Sequence, residues 1–126
     1  MKKIGFIGLG VMGGPMAGHL ANNKYEVIVF NRTKSKSKLW SQKHNGKIAQ
    51  SPKEVSANSD IIFTCVGNDD DVLSIVKGED GILSGMSKDS ILVDHTTASA
   101  NLAKRLYNEF YSQGFGFIDA PVSGGQ

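Results

Sequence analysis

Apolar and polar positions alternate in blocks along the chain. Short apolar runs, "KIGFIG", "YEVIVF", "DIIFTCV", "SILVDHT" and "FGFIDA", are separated by longer stretches with helical spacing. A run of four to eight apolar residues bounded by turn residues predicts a strand. "DIIFTCV" is apolar almost throughout, as expected of a strand covered on both faces. A weaker run, "KIA" at 47–49, predicts a short third strand in chain order.

The intervening stretches predict helices. "VMGGPMAGHLANN" spaces Met12, Met16 and Leu20 four apart. "KSKSKLWSQKH" predicts a polar helix with Leu39 and Trp40 turned inward. "SPKE", Ser51–Glu54, is a capping box with Pro at the first helical position, so a helix starts there. "DDDVLSIV" predicts another helix, with the acids of "NDDD" capping its N–H groups and matching its dipole rather than holding a metal. In "SANLAKRLYNEFYSQG", Leu102, Leu106 and Phe110 share one face and Gly114 ends the helix.

Strands alternating with helices imply parallel strands joined by right-handed crossovers. The predicted fold is α/β: a Rossmann-type, doubly wound, mainly parallel six-stranded sheet with helices on both faces. Ligands of such sheets bind outside the carboxyl ends of the strands. The residues to inspect therefore follow Ile7, Phe30, Val66, Asp94 and Ala120.

The first of these places holds "GLGVMG", with Gly8, Gly10 and Gly13 in G-x-G-x-x-G spacing. In a dinucleotide site the first Gly makes a tight turn, the second admits a pyrophosphate and the third packs helix against strand. The helix N-terminus then offers N–H groups and the positive end of its dipole. A tight strand-to-helix turn without a ligand has the same glycines. The second place separates NAD from NADP. An NAD site carries an acid at the end of the second strand. Here Asn31 stands there, followed by Arg32, Thr33, Lys34 and Lys36. Arg32 can grip a 2′-phosphate with a two-pronged, charge-assisted hydrogen bond. Six Lys or Arg and no acid lie between Arg32 and Lys47. A solvated helix face and a nucleic-acid patch are the other readings of that run. No aromatic interleaving or reader motif supports the patch.

Composition narrows the function classes. Over 126 residues, 40% are hydrophobic, 21% are charged and the formal net charge is +2. That is enough apolar residue for one core, and too mild a charge to imply nucleic acid by itself. A single cysteine, Cys65, excludes an internal disulfide. The N-terminal apolar stretch is short and broken by glycines, and no window reaches the length of a membrane span. A cytoplasmic protein with no membrane partner is expected.

Five motifs, "GLGVMGGPMAGHL", "NRTKSK", "TCVGNDDDV", "VDHTTAS" and "DAPVSGG", stand in the order and spacing of the β-hydroxyacid dehydrogenases. The chain resembles that family over its whole length; 3-hydroxyisobutyrate dehydrogenase, tartronate semialdehyde reductase and, more distantly, 6-phosphogluconate dehydrogenase belong to it. The resemblance implies an NADP-binding domain over 1–126, with NADP favoured over NAD. Gly8, Leu9, Gly10, Val11, Met12 and Gly13 match the cofactor turn. Asn31, Arg32, Thr33 and Lys36 match the adenosine-phosphate site. Val66 and Gly67 match the pair that passes over the cofactor, where the family often has Pro at 67. Asp71 matches a position that can contact the cofactor, and Thr97 the threonine beside the nicotinamide. Ser123, Gly124 and Gly125 match the loop that binds a small substrate carboxylate.

The resemblance places the family's catalytic lysine in a G-x-x-x-K-x-x-x-N helix, past the SGG loop and beyond Gln126. A helical domain that closes the cleft and makes the homo-oligomer is expected there too. No catalytic residue is therefore expected within 1–126, and no turnover from these residues alone. His19 replaces a usual Asn and is expected to pack or face solvent. His44 is expected to be solvated. His95, near the nicotinamide position, does not match the family's acid. A non-catalytic dinucleotide-binding or scaffold module, and an imine reductase-like enzyme, are the rival readings; the latter shares the first two motifs but not a carboxylate loop.

Overall fold

The computed structural model describes residues 2–9, 13–23 and 25–121. Six strands appear where apolar runs predict them: β1 Lys3–Ile7, β2 Glu26–Phe30, β3 Lys47–Ile48, β4 Ile61–Thr64, β5 Ile91–Asp94 and β6 Gly116–Asp119. All pair in parallel, in the order β3-β2-β1-β4-β5-β6. The chain winds outward from β1 in one direction, then returns to wind in the other. The order therefore reverses between β1 and β4, and a crevice opens above them.

Helices α1 Gly13–Asn22 and α2 Lys34–Lys43 cover one face. Ala17, Ala21 and Trp40 pack there on Ile4, Phe6, Val27 and Val29. On the other face lie α3 Pro52–Ala57, α4 Asp69–Val76, α5 Ile82–Gly85 and α6 Ala100–Ser112. Val55, Val76, Leu106 and Phe110 meet Ile62, Leu92 and Phe117 there. Each fully buried aliphatic or aromatic side chain stabilises the fold by about 1.5–3 kcal/mol before entropy is counted.

The caps follow the sequence closely. Ser51 Oγ accepts from the Glu54 N–H at 3.1 Å and opens α3. The return bond of the capping box goes one residue further out, from the Gln50 N–H to Glu54 Oε1 at 2.8 Å. Asn68 caps α4 by accepting from the Asp71 N–H, and Ser99 caps α6 by accepting from the Leu102 N–H. Gly114 follows α6 with a φ of +86°, the left-handed conformation that ends a helix.

Two expectations change, and one element is new. Leu39 does not turn inward with Trp40: it is 58% exposed, whereas Trp40 is 5% exposed. Only Ser37 and Trp40, three apart, reach the core from α2, and Leu39 lies about 100° round the helix from Trp40. His44 is half-buried rather than solvated. Its ring lies 5.3 Å from that of Trp40 and fills the notch left by Gly18. The four-residue α5 is too short to leave a periodic signal and is absent from the sequence reading.

Candidate functional site

The carboxyl ends of β1, β2 and β4 meet at one level. The Gly8 N–H donates to Phe30 O at 3.0 Å, and the Cys65 N–H to Ile7 O at 3.0 Å. Gly8 has a φ of +100°, and a Cβ there would lie 2.1 Å from the Cys65 carbonyl oxygen. Only glycine turns the chain in so narrow a gap. Leu9 is buried beneath the turn, and its N–H donates to Asn31 Oδ1 at 2.8 Å. The Asn31 amide donates in turn to Thr33 O at 3.1 Å. Asn31 thus ties the first βα turn to the second. Trp40 makes a parallel tie from α2, donating from Nε1 to Gly14 O at 3.2 Å. Gly13 opens α1, and Gly10, Val11 and Met12 lie outside the described residues.

A cleft of about 690 Å³ runs from this turn along the lip of the sheet. It brings together Gly8, Asn31, Arg32, Thr33, Lys36, Val66, Gly67 and Asp71, eight of the residues singled out from sequence. Thr97 is exposed beyond β5 and does not line it. The carboxylate-loop residues Ser123, Gly124 and Gly125 lie outside the described residues, as does Gln126, the position past which the family's lysine is expected. Arg32 and Lys36 are exposed at one lip. The start of α2 beside them is electrostatically unsettled. Its first turn contains no acid, and the N-cap Thr33 makes no side-chain cap bond.

The opposite wall is held by groups that the sequence reading passed over. Asp94 is 2% exposed. It accepts from the Thr64 hydroxyl at 2.8 Å and from the Thr96 N–H at 3.0 Å. Thr96 Oγ1 then accepts from the Val66 N–H at 3.0 Å, fixing the turn that leads to Gly67. The signal was two polar residues, Thr64 and Asp94, ending otherwise apolar strands. They are register partners across β4 and β5. Burial, with the Asp94 carboxylate second, pushes the Cys65 thiol above its ordinary value. The Ser99 hydroxyl and then its backbone N–H hold the Asp69 carboxyl below the ordinary range. The His95 ring lies parallel to Phe63 at 5.7 Å, and its Nδ1 is 2.7 Å from Ala120 O. Among the described residues, no helix is long and apolar enough to cross a membrane.

The family model of the NAD binding domain of 6-phosphogluconate dehydrogenase matches residues 3–126. An uncharacterized oxidoreductase of Shewanella frigidimarina is 52% identical over 126 residues, covering all of this chain and 43% of that protein. A probable 3-hydroxyisobutyrate dehydrogenase-like protein of Arabidopsis thaliana, named as mitochondrial, is 42% identical over 123 residues, or 98% of this chain and 41% of its own. Among solved structures, Mycobacterium tuberculosis 3-hydroxyisobutyrate dehydrogenase with L-serine superposes with a TM-score of 0.89 at 26% identity, covering 99% of this chain and 42% of that one. The chain therefore spans about two fifths of the length of the relatives it matches. With the glycine turn at β1 and the reversal of strand order beside it, this match places the chain in the family of NAD-binding domains of the 6-phosphogluconate dehydrogenase type.

Proposed function

We propose that this chain is the NADP-binding part of an oxidoreductase that interconverts a short β-hydroxyacid and its semialdehyde or ketoacid by hydride transfer. The start of α2 carries the cofactor choice. Lys34 and Lys36 sit in its first turn with Arg32 just before it, and that turn contains no acid. Cations at a helix N-terminus oppose its dipole, whereas a phosphate bound there satisfies dipole and cations together. Asn31 stands where a carboxylate would otherwise hold the ribose hydroxyls of NAD.

The residues fit such a ligand. The cleft of about 690 Å³ is of the size usual for a cofactor site. Gly8 keeps side-chain atoms out of the turn, and Asn31 holds the Leu9 N–H within the fold. In this reading the turn from Gly8 to Gly13 takes the pyrophosphate. Asn31, Arg32, Thr33 and Lys36 take the adenosine phosphate. Val66, Gly67 and Asp71 flank the cofactor, and Thr97 lies beside the nicotinamide. Ser123, Gly124 and Gly125 take the substrate carboxylate. The bound nicotinamide would supply or accept the hydride, while these residues bind and orient it.

The relatives' greater length supports the rest of the proposal. In the whole protein, a helical domain beyond Gln126 supplies the lysine that handles the alcohol proton and forms the homo-oligomer. Residues 1–126 then bind NADP(H) without appreciable turnover. Fluorescence titration with NADPH and NADH tests the cofactor choice. Arg32→Ala is expected to weaken NADPH by about ten- to a hundredfold, the loss of a charge-assisted bond, and to leave NADH nearly unchanged. Tighter binding of NADH than NADPH by the wild type would overturn the NADP assignment. Robust reduction of succinic or tartronic semialdehyde by these residues alone would overturn the lysine argument.

A further inference from the structure

Arg32 and Asp71 reach toward each other from opposite walls of the cleft. Arg32 follows β2, and Asp71 sits in the first turn of α4. Arg32 Nη1 lies 3.4 Å from Asp71 Oδ1. The Arg32 side chain is 81% exposed and that of Asp71 26%, so the guanidinium is the more exposed partner and the carboxylate the more enclosed one. Two features fix it. The Asp71 N–H donates to Asn68 Oδ1 at 3.0 Å, holding the residue in the capped turn. Its side chain folds back over Gly67, where a Cβ would lie 2.5 Å from Asp71 Oδ2. Glycine at 67 leaves that space open. Asp71 supplies the only carboxylate among the described residues lining the cleft, facing a lip that carries Arg32 and Lys36.

We infer that Asp71 is a clasp on Arg32 that sets the preference between dinucleotides with and without a 2′-phosphate. The inference rests on the dinucleotide reading above. In the structure the carboxylate occupies the guanidinium. A ligand phosphate must break that pair and then sit near a like charge. A ligand without the phosphate leaves the clasp closed and meets neither cost. Asp71 therefore weakens the phosphorylated ligand selectively and narrows the discrimination that Arg32 provides. An exposed ion pair sets the scale, a few-fold in affinity.

Calorimetric titration of 2′,5′-ADP and 5′-AMP isolates the phosphate from the rest of the cofactor. Asp71→Asn is expected to tighten 2′,5′-ADP by about threefold and leave 5′-AMP within error. In an Arg32→Ala background the same substitution should lose most of that gain, because no guanidinium remains to be released. If Asp71→Asn weakens both ligands alike, the carboxylate is a ribose ligand and the clasp is wrong. If the gain persists in full without Arg32, simple repulsion replaces the clasp. A wild type that binds neither 2′,5′-ADP nor 5′-AMP removes the dinucleotide reading, and the inference with it. That result is distinct from the other two, in which binding is retained.

Discussion

The sheet carries two clefts of similar size at its opposite ends. The one above the carboxyl ends holds about 690 Å³; the one below the amino ends, beside β2, β3 and α3, holds about 570 Å³. Their chemistry differs. In the lower cleft, Lys3, Glu26, Lys47 and Glu54 mix both signs. Glu54 already accepts from Gln50, and its carbonyl from the Asn58 amide at 2.8 Å. The upper cleft gathers cations on one lip, a helix start without an acid, and a turn that only glycine can make. Volume does not separate the two. One-sided charge gathered at a helix start does.

The largest expected effect breaks the glycine turn. Gly8→Val must adopt a φ of +100° and place a Cβ 2.1 Å from the Cys65 carbonyl oxygen. Neither strain can relax unless β1 and β4 part. A stability loss of about 3 kcal/mol or more is expected in urea unfolding. The lower cleft supplies the control. At Gly46 a Cβ would meet the Trp40 ring at 2.4 Å, but the backbone there is not left-handed. Gly46→Ala is expected to cost about 1–2 kcal/mol, a repacking penalty. Equal losses at the two positions would show that the upper turn stores no special constraint.

A subtler substitution probes chemistry while keeping the bond from the first turn. Asn31→Asp keeps an oxygen to accept the Leu9 N–H and loses the amide's bond to Thr33 O, a cost of about 1 kcal/mol that the fold should survive. It also places an acid where a 2′-phosphate would bind. NADPH affinity is expected to fall about tenfold, with NADH unchanged or tighter, in parallel fluorescence titrations. Glu26→Gln in the lower cleft should alter neither. Loss of both cofactors in Asn31→Asp would mean that the amide is needed for the turn itself rather than for phosphate discrimination.

Much of this was legible in the sequence, for reasons that differ by region. The strands were legible because a parallel sheet buries both faces, so "DIIFTCV" is apolar almost throughout and "SILVDHT" carries the unbroken apolar run Ile-Leu-Val. The upper cleft was legible because one topological rule turns strand ends into a map. Two kinds of feature escaped. One is the direction of a side chain on a short polar helix: Leu39 and Trp40 are adjacent in sequence, yet only one can face the sheet. The other is long-range polar pairing. Asp94 with Thr64, Arg32 with Asp71 and Asn31 with Leu9 are 30, 39 and 22 residues apart. No local pattern encodes such contacts; they follow from register and from where the helices begin.

The smallest expected effect concerns the wall of the upper cleft and its dependence on pH. The Cys65 thiol is pushed up chiefly by burial and secondarily by the Asp94 carboxylate. A thiol raised in the folded state contributes stability that is present below its unfolded pKa. That contribution is lost as pH rises through the folded value. Asp94→Asn removes only the lesser cause. The midpoint of alkylation by iodoacetamide against pH should move down in the variant, yet stay above that of an ordinary thiol at about 8.5. Alkaline loss of stability should be correspondingly smaller. Asp60 lies toward the amino end and accepts from the Lys3 N–H at 3.2 Å, so Asp60→Asn should leave the midpoint where it is. A fall to the ordinary thiol value in Asp94→Asn would mean that the carboxylate, not burial, governs this wall. An unchanged midpoint would mean that its hydrogen bonds to Thr64 and Thr96 already screen its charge from the cleft.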